Sequence, residues 1–442
     1  MQIQTDYGKS PRASNIDSCP IPLLWSLLSQ SSPTSPPLVY PSSLLHKTLL
    51  RVLQSILNPV EVPSPNFSPL SRFKIRDVTF QNRIFVPPLC QYSADNGHAT
   101  PWHMAHVGGI VSRGFGLMIM EGTGVTPEGR ITPEDLGLWQ DSQIEPLKHV
   151  VDFAHSQGQK IGIQLAHAGR KSSTVAPWLH PNAIAAPAVG GFADKIVGPS
   201  PILYTKGNPV PKELSKAEIA DIVKADADAA KRATRAGFDP SRQHGGSFEN
   251  RIRFTLEVVD AIRAVIPEGM PLSLRISASD RMEDLDEPSW KNEDTIRLAR
   301  ILAEHGVDLL HVSSAGISPK QFLKMLTAQQ DMAAEMKKEV GDKIFVGTVG
   351  GIKSGVQAEK YLQDNVADVC FVGRYTQKEP GIVWKFAEEL GTVIHVAGQI
   401  AWGFFGRGVG SKAAKVKAEI GLALQFLRLA KLGSLKTLCN GG

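Results

Sequence analysis

Cysteine is scarce, with only Cys19, Cys90, Cys370 and Cys439 in 442 residues. None stands at the close paired spacing of a zinc site or a redox CxxC. Their scatter gives no disulfide framework, so they read as reduced thiols in an intracellular, cytoplasmic protein. Long apolar runs are missing too. No stretch reaches membrane-spanning length, so no transmembrane segment is expected. The N-terminus shows no basic patch followed by an apolar core, and Asp6 and Asp17 count against a mitochondrial presequence. Charge of one sign is lacking over most of the chain. The formal net charge is +5, yet residues 411–436 alone hold Lys412, Lys415, Lys417, Arg428, Lys431 and Lys436 against Glu419. The remainder is near neutral, and a nucleic-acid-binding core is not indicated.

What is present is ordinary for a globular protein, 42% hydrophobic and 21% charged. Its order is more telling. Seven short apolar runs read as buried parallel strands: IFVPPLC (84–90), GLMIMEGTGV (116–125), KIGIQLAH (160–167), PLSLRIS (271–277), DLLHVSS (308–314), KIFVGTV (343–349) and ADVCFVG (367–373). Helical patterns separate most of them, the beat of a TIM (β/α)8-type α/β barrel. Between the third and fourth runs the beat fails. Two helices, 213–236 and 247–266, follow one another with only GFDPSRQHGG where a strand is due. The fold expected is therefore a TIM (β/α)8-type barrel with one strand deleted.

Three regions follow. Residues 1–70, with SSPTSPP and VPSPNFSPL, form a Ser/Pro-rich extension. Residues 71–408 hold the barrel. Residues 409–442 carry a basic amphipathic helix, suited to a membrane surface or a partner but more simply a solvated or packed terminal helix. The loops after the first and third strands are long, and the proline-rich 175–212 segment reads as a coil or hairpin over the barrel mouth.

In such barrels functional side chains stand at strand C-terminal ends. Those ends supply Cys90 and Tyr92, Gly122 and Thr123, then Gln164, His167, Arg170 and Lys171. Arg275 follows, then Ser313 and Ser314, then Gly347, Gly350 and Gly351, and last Gly373 and Arg374. Glycines in the last two loops let backbone N–H groups approach a phosphate, and Arg374 adds charge-assisted bonds. Cys90 could be a small buried hydrophobe, and His103 and His106 helix-packing residues rather than metal ligands. No metal site is expected. An arginine ending a strand is harder to explain away: Arg275 faces the mouth or needs a buried partner.

Taken together, FQNRIFVPPLCQYSADNGHATPWHMAHVGG, EGTGVTPEGRITPEDLGLW, GQKIGIQLAHAGRKSST, GGSFENRIRF, LRISASD and FVGR resemble the Old Yellow Enzyme family of FMN-dependent ene-reductases, also called NADH:flavin oxidoreductases or NADPH dehydrogenases. Cys90, Tyr92 and AHAGRK are similar to its thermophilic-like, bacterial-type branch, in the form found in filamentous fungi. The resemblance implies FMN at the barrel mouth and NADPH or NADH as hydride donor. A small-molecule enone or enal would be the acceptor, possession of a homo-oligomeric form is left open, and a place in secondary metabolism fits. It implies that Pro87, Pro88, Leu89 and Cys90 line the flavin, with Gly122, and that Cys90 tunes it. Gln164 would bond its pyrimidine ring, Arg275 would sit near N1, and Gly350, Gly351, Gly373 and Arg374 would hold the phosphate. Tyr92, Lys171 and Arg407 would meet substrate, with Cys90 and Tyr92 as the catalytic pair.

The family pattern breaks at one place. After AGFD it normally runs through VIEIH-x-AHGYLLHEFLSP to RTDEYGGSFENR, whereas here AGFD leads straight to PSRQHGGSFENR, with His244 before the glycines. About 25 residues, enough for one strand and its loop, are absent. They would carry two carbonyl-binding histidines and a proton-donating tyrosine. Three accounts stand: a splice or gene-model product, a divergent flavin enzyme, or a catalytically inactive barrel relic acting as a binding protein. The reading adopted is an FMN-dependent NAD(P)H oxidoreductase of ene-reductase type with activity impaired by the deletion.

Overall fold

The computed structural model describes residues 70–242, 252–282, 285, 288–314, 316, 320, 329–392 and 394–405. The N-terminal extension, His244, Arg407 and the basic tail lie outside the described residues.

The chain enters through an antiparallel hairpin, β1 (Phe73–Ile75) and β2 (Val78–Phe80), and then alternates strands with helices. All seven apolar runs become parallel strands: β3 (Ile84–Val86), β4 (Leu117–Gly124), β5 (Ile161–Ala166), β9 (Ser273–Ser277), β10 (Leu309–Ser313), β11 (Phe345–Val349) and β12 (Val369–Phe371). A small parallel pair, β6 (Val197–Gly198) and β7 (Lys212–Glu213), lies in the long segment after β5.

The expected gap is filled. Asp239–Arg242, part of the stretch that reads as a linker, forms a short strand β8. It pairs with β5 through Gly162↔Asp239, Ile163↔Pro240 and Gln164↔Ser241, and with β9 through Ser241↔Ser273 and Arg242↔Leu274. The ring β3-β4-β5-β8-β9-β10-β11-β12 is closed. The TIM-type barrel expected from the sequence is thus present, and the two open edges implied by a deleted strand are not. The physical reason is that a ladder needs only backbone N–H and C=O groups, which both neighbours present. DPSR has no β-branched or aromatic residue and contains a proline, so nothing in its side chains announces a strand.

Helix α3 (Lys216–Ala236) delivers the chain to β8. Ser215 caps it reciprocally: its Oγ accepts from Glu218 N, while Ser215 N donates to Glu218 Oε2 at 2.8 Å. The helix stops at Gly237, whose φ of +95° suits glycine, and two residues later β8 begins. The flanking helices α1 (Pro101–Val111), α2 (Ile144–Ser156), α4 (Ile252–Arg263), α5 (Asn292–Glu304), α6 (Gln329–Val340) and α7 (Gly355–Gln363) contribute to the large outer apolar cluster between helices and strands. Beyond β12 come α8 (Arg374–Lys378), α9 (Ile382–Glu389) and α10 (Gly398–Phe405).

A second apolar cluster fills the ring itself. Phe73, Ile75 and Phe80 of the hairpin pack with Phe85, Leu117, Ile119, Leu309, Val369 and Phe371. Aromatic contacts run through it, Phe80–Phe85 at 4.9 Å, Phe85–Phe371 at 5.7 Å and Phe371–His311 stacked at 3.7 Å between centroids. The hairpin therefore plugs the N-terminal end, and the opposite end, where the strands finish, is left for ligands. A cavity of about 490 Å³ also lies at the plugged end, beside Arg76, Arg263 and His305. Its polar groups are largely engaged, Arg76 Nε with Asp308 Oδ1 at 2.7 Å and His305 Nδ1 with Asp260 Oδ1 at 2.6 Å, which suits clamping the hairpin rather than chemistry.

Gly347, placed by sequence among the ligand-loop glycines, serves this interior instead. A Cβ there would stand 2.5 Å from Phe371 Cε2 and 3.0 Å from Val369 Cγ2. Gly347→Ala should overpack the ring and destabilise it by about 1–3 kcal/mol. Urea unfolding of the variant checks this, and an unchanged midpoint would show that the aromatic column yields freely.

Candidate functional site

The first loop begins at Pro87, directly after β3, and runs through Pro88 and Leu89 to Cys90. Gly373, after β12, lies against it: a Cβ at Gly373 would stand 3.1 Å from Pro87 Cγ and 3.4 Å from Leu89 Cδ2. Gly122 and Gln164 are register partners on β4 and β5. A Cβ at Gly122 would meet Gln164 Oε1 at 3.6 Å and Cys90 Sγ at 3.7 Å. So the loops after β3 and β12 and the strands β4 and β5 converge on one spot.

Arg275, on β9, reaches the same spot. Burial lowers its pKa and the Cys90 sulfur opposes that, so the guanidinium and Cys90 sense each other. Among the described residues no carboxylate stands within ion-pair distance of Arg275. A largely desolvated cation without an internal partner is costly unless something anionic meets it.

Gly350 and Gly351, after β11, both adopt positive φ, +108° and +68°. Gln330 Nε2 donates to the Gly350 carbonyl at 2.5 Å and Gln357 Nε2 to that of Gly351 at 3.2 Å. A trans peptide points its N–H opposite its C=O, so the N–H groups of Gly351 and Ile352 turn away from the two glutamines. Such a run of turned amides is a ready anion cradle. Arg374 is exposed at the first position of α8.

The Cys90 thiol is pushed up first by burial and then by the carboxylates of Asp135 and Glu121, so it stays protonated. Burial, then the neighbouring Cys90, Asp135 and Glu121, raises the Tyr92 phenol too. Its backbone φ of +50° is a left-handed conformation that a bulky residue adopts at a cost. Its ring meets Trp178 edge-on, with centroids 5.4 Å apart.

Other expected residues fall elsewhere. Lys171 Nζ donates to the Gly316 carbonyl at 2.6 Å and lies 5.2 Å from the Tyr204 ring, with Arg170 across the same ring. Burial, then Arg170, lowers the Lys171 pKa. His167 Nδ1 accepts from Gly169 N, and Thr123 Oγ1 donates to the Glu121 carbonyl. Ser314 Oγ accepts from Gln329 Nε2.

Two acids were overlooked by sequence reasoning. Glu121 sits at a register shift in β4, buried, accepting from the Gln91 backbone N–H, with His103 Nε2 2.9 Å from its Oε1. His103 in turn accepts on Nδ1 from Thr100 N, so it is a packed helix histidine as expected. The signal was available: a carboxylate inside LMIMEGTG must have a polar partner. Among the described residues no group of His, Cys, Asp and Glu is arranged to hold a metal.

The second acid is Asp135, which accepts from Ile131 N at 2.7 Å, Thr132 N at 3.1 Å and Thr132 Oγ1 at 3.1 Å. Burial outweighs these bonds and raises its pKa to about 7. A carboxyl whose folded pKa is raised binds its proton more tightly in the native state. Its contribution to stability is complete below the unfolded value near 4 and is lost as pH rises through about 7. Histidines with depressed pKa values, such as buried His311, work the opposite way around pH 6.5. The test is therefore a difference: Asp135→Asn should gain on the wild type by about 2–4 kcal/mol between pH 4.5 and 7.5, read from urea midpoints. Parallel pH curves for the two proteins would refute it.

Comparison with known proteins agrees with this geometry. The model of the NADH:flavin oxidoreductase / NADH oxidase family matches residues 67–242 and 239–392, two stretches that meet at β8. A NADH:flavin oxidoreductase of Gibberella zeae is 50% identical over 374 residues, covering 77% of this chain and 90% of that one. A NADPH dehydrogenase of Geobacillus thermodenitrificans is 37% identical, covering 76% and 98%. Among solved structures, an old yellow enzyme homologue from Zymomonas mobilis shares the fold, with TM-score 0.58 at 22% identity over 74% of this chain and 95% of that one. With a barrel mouth that combines an uncompensated guanidinium, a glycine-floored gap and a turned-amide cradle, the chain belongs to the NADH:flavin oxidoreductase / NADH oxidase family, as an FMN-dependent NAD(P)H oxidoreductase of the Old Yellow Enzyme kind.

Proposed function

We propose that this chain takes hydride from NAD(P)H efficiently but is impaired as an ene-reductase, the reduction of activated C=C bonds in α,β-unsaturated carbonyls. The observation that carries this reading is β8. It sits in the ring between β5 and β9, where the family pattern carries its carbonyl-binding histidines and tyrosine, and consists of Asp, Pro, Ser and Arg. The meeting of the two family matches at this strand supports the reading that a segment is missing there.

FMN, when bound, supplies the hydride relay between donor and acceptor. The residues present fit it. Gly122 leaves a gap that a side chain would fill, next to Gln164 and Cys90. Gln164 would bond the pyrimidine edge, and Arg275 would place its charge where negative charge collects on reduction. Pro87, Pro88 and Leu89 would line one side, with the phosphate on Gly350, Gly351, Gly373 and Arg374. Cys90 stays a neutral thiol and so tunes the flavin as a weak hydrogen-bond donor rather than as an anion. Tyr92 and Lys171 would face the second substrate, and Arg407 would join them. Without two hydrogen-bond donors on the acceptor carbonyl, its reduction should fall by about 10²–10³ for each, and the α-carbon proton must come from water. The setting would be the cytoplasm, the route secondary metabolism, and the assembly a homo-oligomer; scattered free cysteines such as Cys90 and Cys370 favour the first.

The visible spectrum of the purified chain, before and after anaerobic NADPH, tests the reading. A flavin band that NADPH bleaches quickly and 2-cyclohexenone restores slowly is the expected outcome. Rapid restoration would overturn the impairment, and a colourless chain that stays so with added FMN would favour a barrel that acts only by binding. Gly122→Ala isolates the cofactor gap. Its Cβ has ordinary contacts in the protein alone, so stability should hold within about 1 kcal/mol while FMN affinity drops at least roughly tenfold.

A further inference from the structure

The segment 173–185 is a hairpin at the barrel mouth, and its tip displays an aromatic side chain that the fold does not need. Its base is bolted down. Thr174 N donates to the Ile131 carbonyl at 2.8 Å, Ala185 N to Ser173 O at 2.8 Å, and Phe192 N to Ser173 Oγ at 2.8 Å. Val175 N donates to Ala183 O, and Leu179 N closes the tip on the Ala176 carbonyl at 2.9 Å. Ser173, Ala176 and Ala185 are buried, whereas Trp178 is 66% exposed. The tip is thus ordered by its backbone and not by burying its indole. A tryptophan offers the largest apolar surface of any side chain, and here that surface stands on an ordered turn where a ligand can cover it.

What Trp178 does touch is Tyr92. The rings are 76° apart, edge to face. Tyr92 leads inward, two residues on from Cys90, whose sulfur borders the gap at Gly122. Two rings at right angles make a corner, one wall of which is fixed by the left-handed backbone at Tyr92. Such a corner accepts a flat ring, which can stack on one wall and present its edge to the other.

We propose that Trp178 and Tyr92 select the acceptor by its planar aryl or extended conjugated substituent, so that the second substrate is an aryl-conjugated α,β-unsaturated carbonyl. This rests on reading the site as that of an ene-reductase. The carbonyl end points inward past Tyr92, and the aryl end is held at the rim. Binding energy at the rim also compensates in part for the carbonyl contacts that β8 no longer offers, because remote contacts can position a reacting centre. A flat ring could equally belong to the adenine of the hydride donor, and the experiment separates the two.

The experiment uses the full chain, its Trp178→Ala variant and its Trp178→Phe variant. Equilibrium dialysis measures the affinities of 4-phenyl-3-buten-2-one, 3-penten-2-one and NADPH, and the visible spectrum is recorded alongside. The expected result is a loss of roughly five- to tenfold in affinity for the aryl enone in Trp178→Ala, with the aliphatic enone and NADPH within about twofold. Trp178→Phe should keep most of the aryl affinity. An equal loss for both enones, or no loss for either, overturns the proposal, and a loss confined to NADPH assigns the corner to the donor and overturns it as well. A chain without flavin colour would sink the enzymatic reading separately, since dialysis still reports whether the corner distinguishes the two enones.

Discussion

Everything at the mouth of this barrel depends on a ring of backbone hydrogen bonds that closes through four residues. β8 is short, and each of its ladders spans only two or three register pairs. Without it, β5 and β9 would each present a row of buried N–H and C=O groups, every one costing about 1–3 kcal/mol unpaired. That penalty explains why a stretch with no strand-like side chains is drawn into the sheet. Closure sets the tilt and spacing of the ring, and these bring Cys90, Gly122, Gln164 and Arg275 from four strands or their loops to one point. The site is therefore a consequence of closure before it is a matter of side chains.

Charge at that point is arranged with little redundancy. Among the described residues no carboxylate stands beside the guanidinium of Arg275, while two acids that influence Cys90, Glu121 and Asp135, are occupied elsewhere. Glu121 faces His103 and a backbone N–H, and Asp135 binds its own turn. Burial first, and then the two acids acting through space, keep the thiol neutral, and Arg275 is left as a cation available to a ligand. Placing Glu121 on the Arg275 side would quench the charge that an anion-stabilising site needs.

Much of this was legible in the sequence. The seven apolar runs all became strands, because buried parallel strands are continuous hydrophobic segments bounded by turn residues. β8 was not legible, since its membership is decided by its neighbours' unpaired edges and not by Asp, Pro, Ser or Arg. The clustering of Cys90, Gly122, Gln164 and Arg275 followed from the rule that barrel chemistry gathers at strand C-termini. Gly347 misled because it lies in mid-strand rather than in the loop, where its lack of a Cβ makes room for Phe371 inside the ring. Asp135 and Trp178 lay in loops, where the partners that give them meaning, Ile131 and Tyr92, are set by tertiary structure alone.

The closed ring is also what lets the proposed function separate the two halves of a two-step reaction. The residues proposed to hold FMN lie on β3, β4, β5, β9, β11 and β12 or their loops, and none lies on β8. The resemblance places the expected acceptor contacts on the strand whose position β8 takes in the ring. Because each strand of such a barrel contributes its own loop to a shared mouth, removing the side chains of one strand subtracts one group of contacts. The backbone that remains needs only enough length to pair on both sides. Four residues meet that need, and none of them is a histidine or a tyrosine. On the proposed reading, selection for the acceptor falls to what else borders the mouth, and the hairpin bearing Trp178 exposes apolar area beside Tyr92.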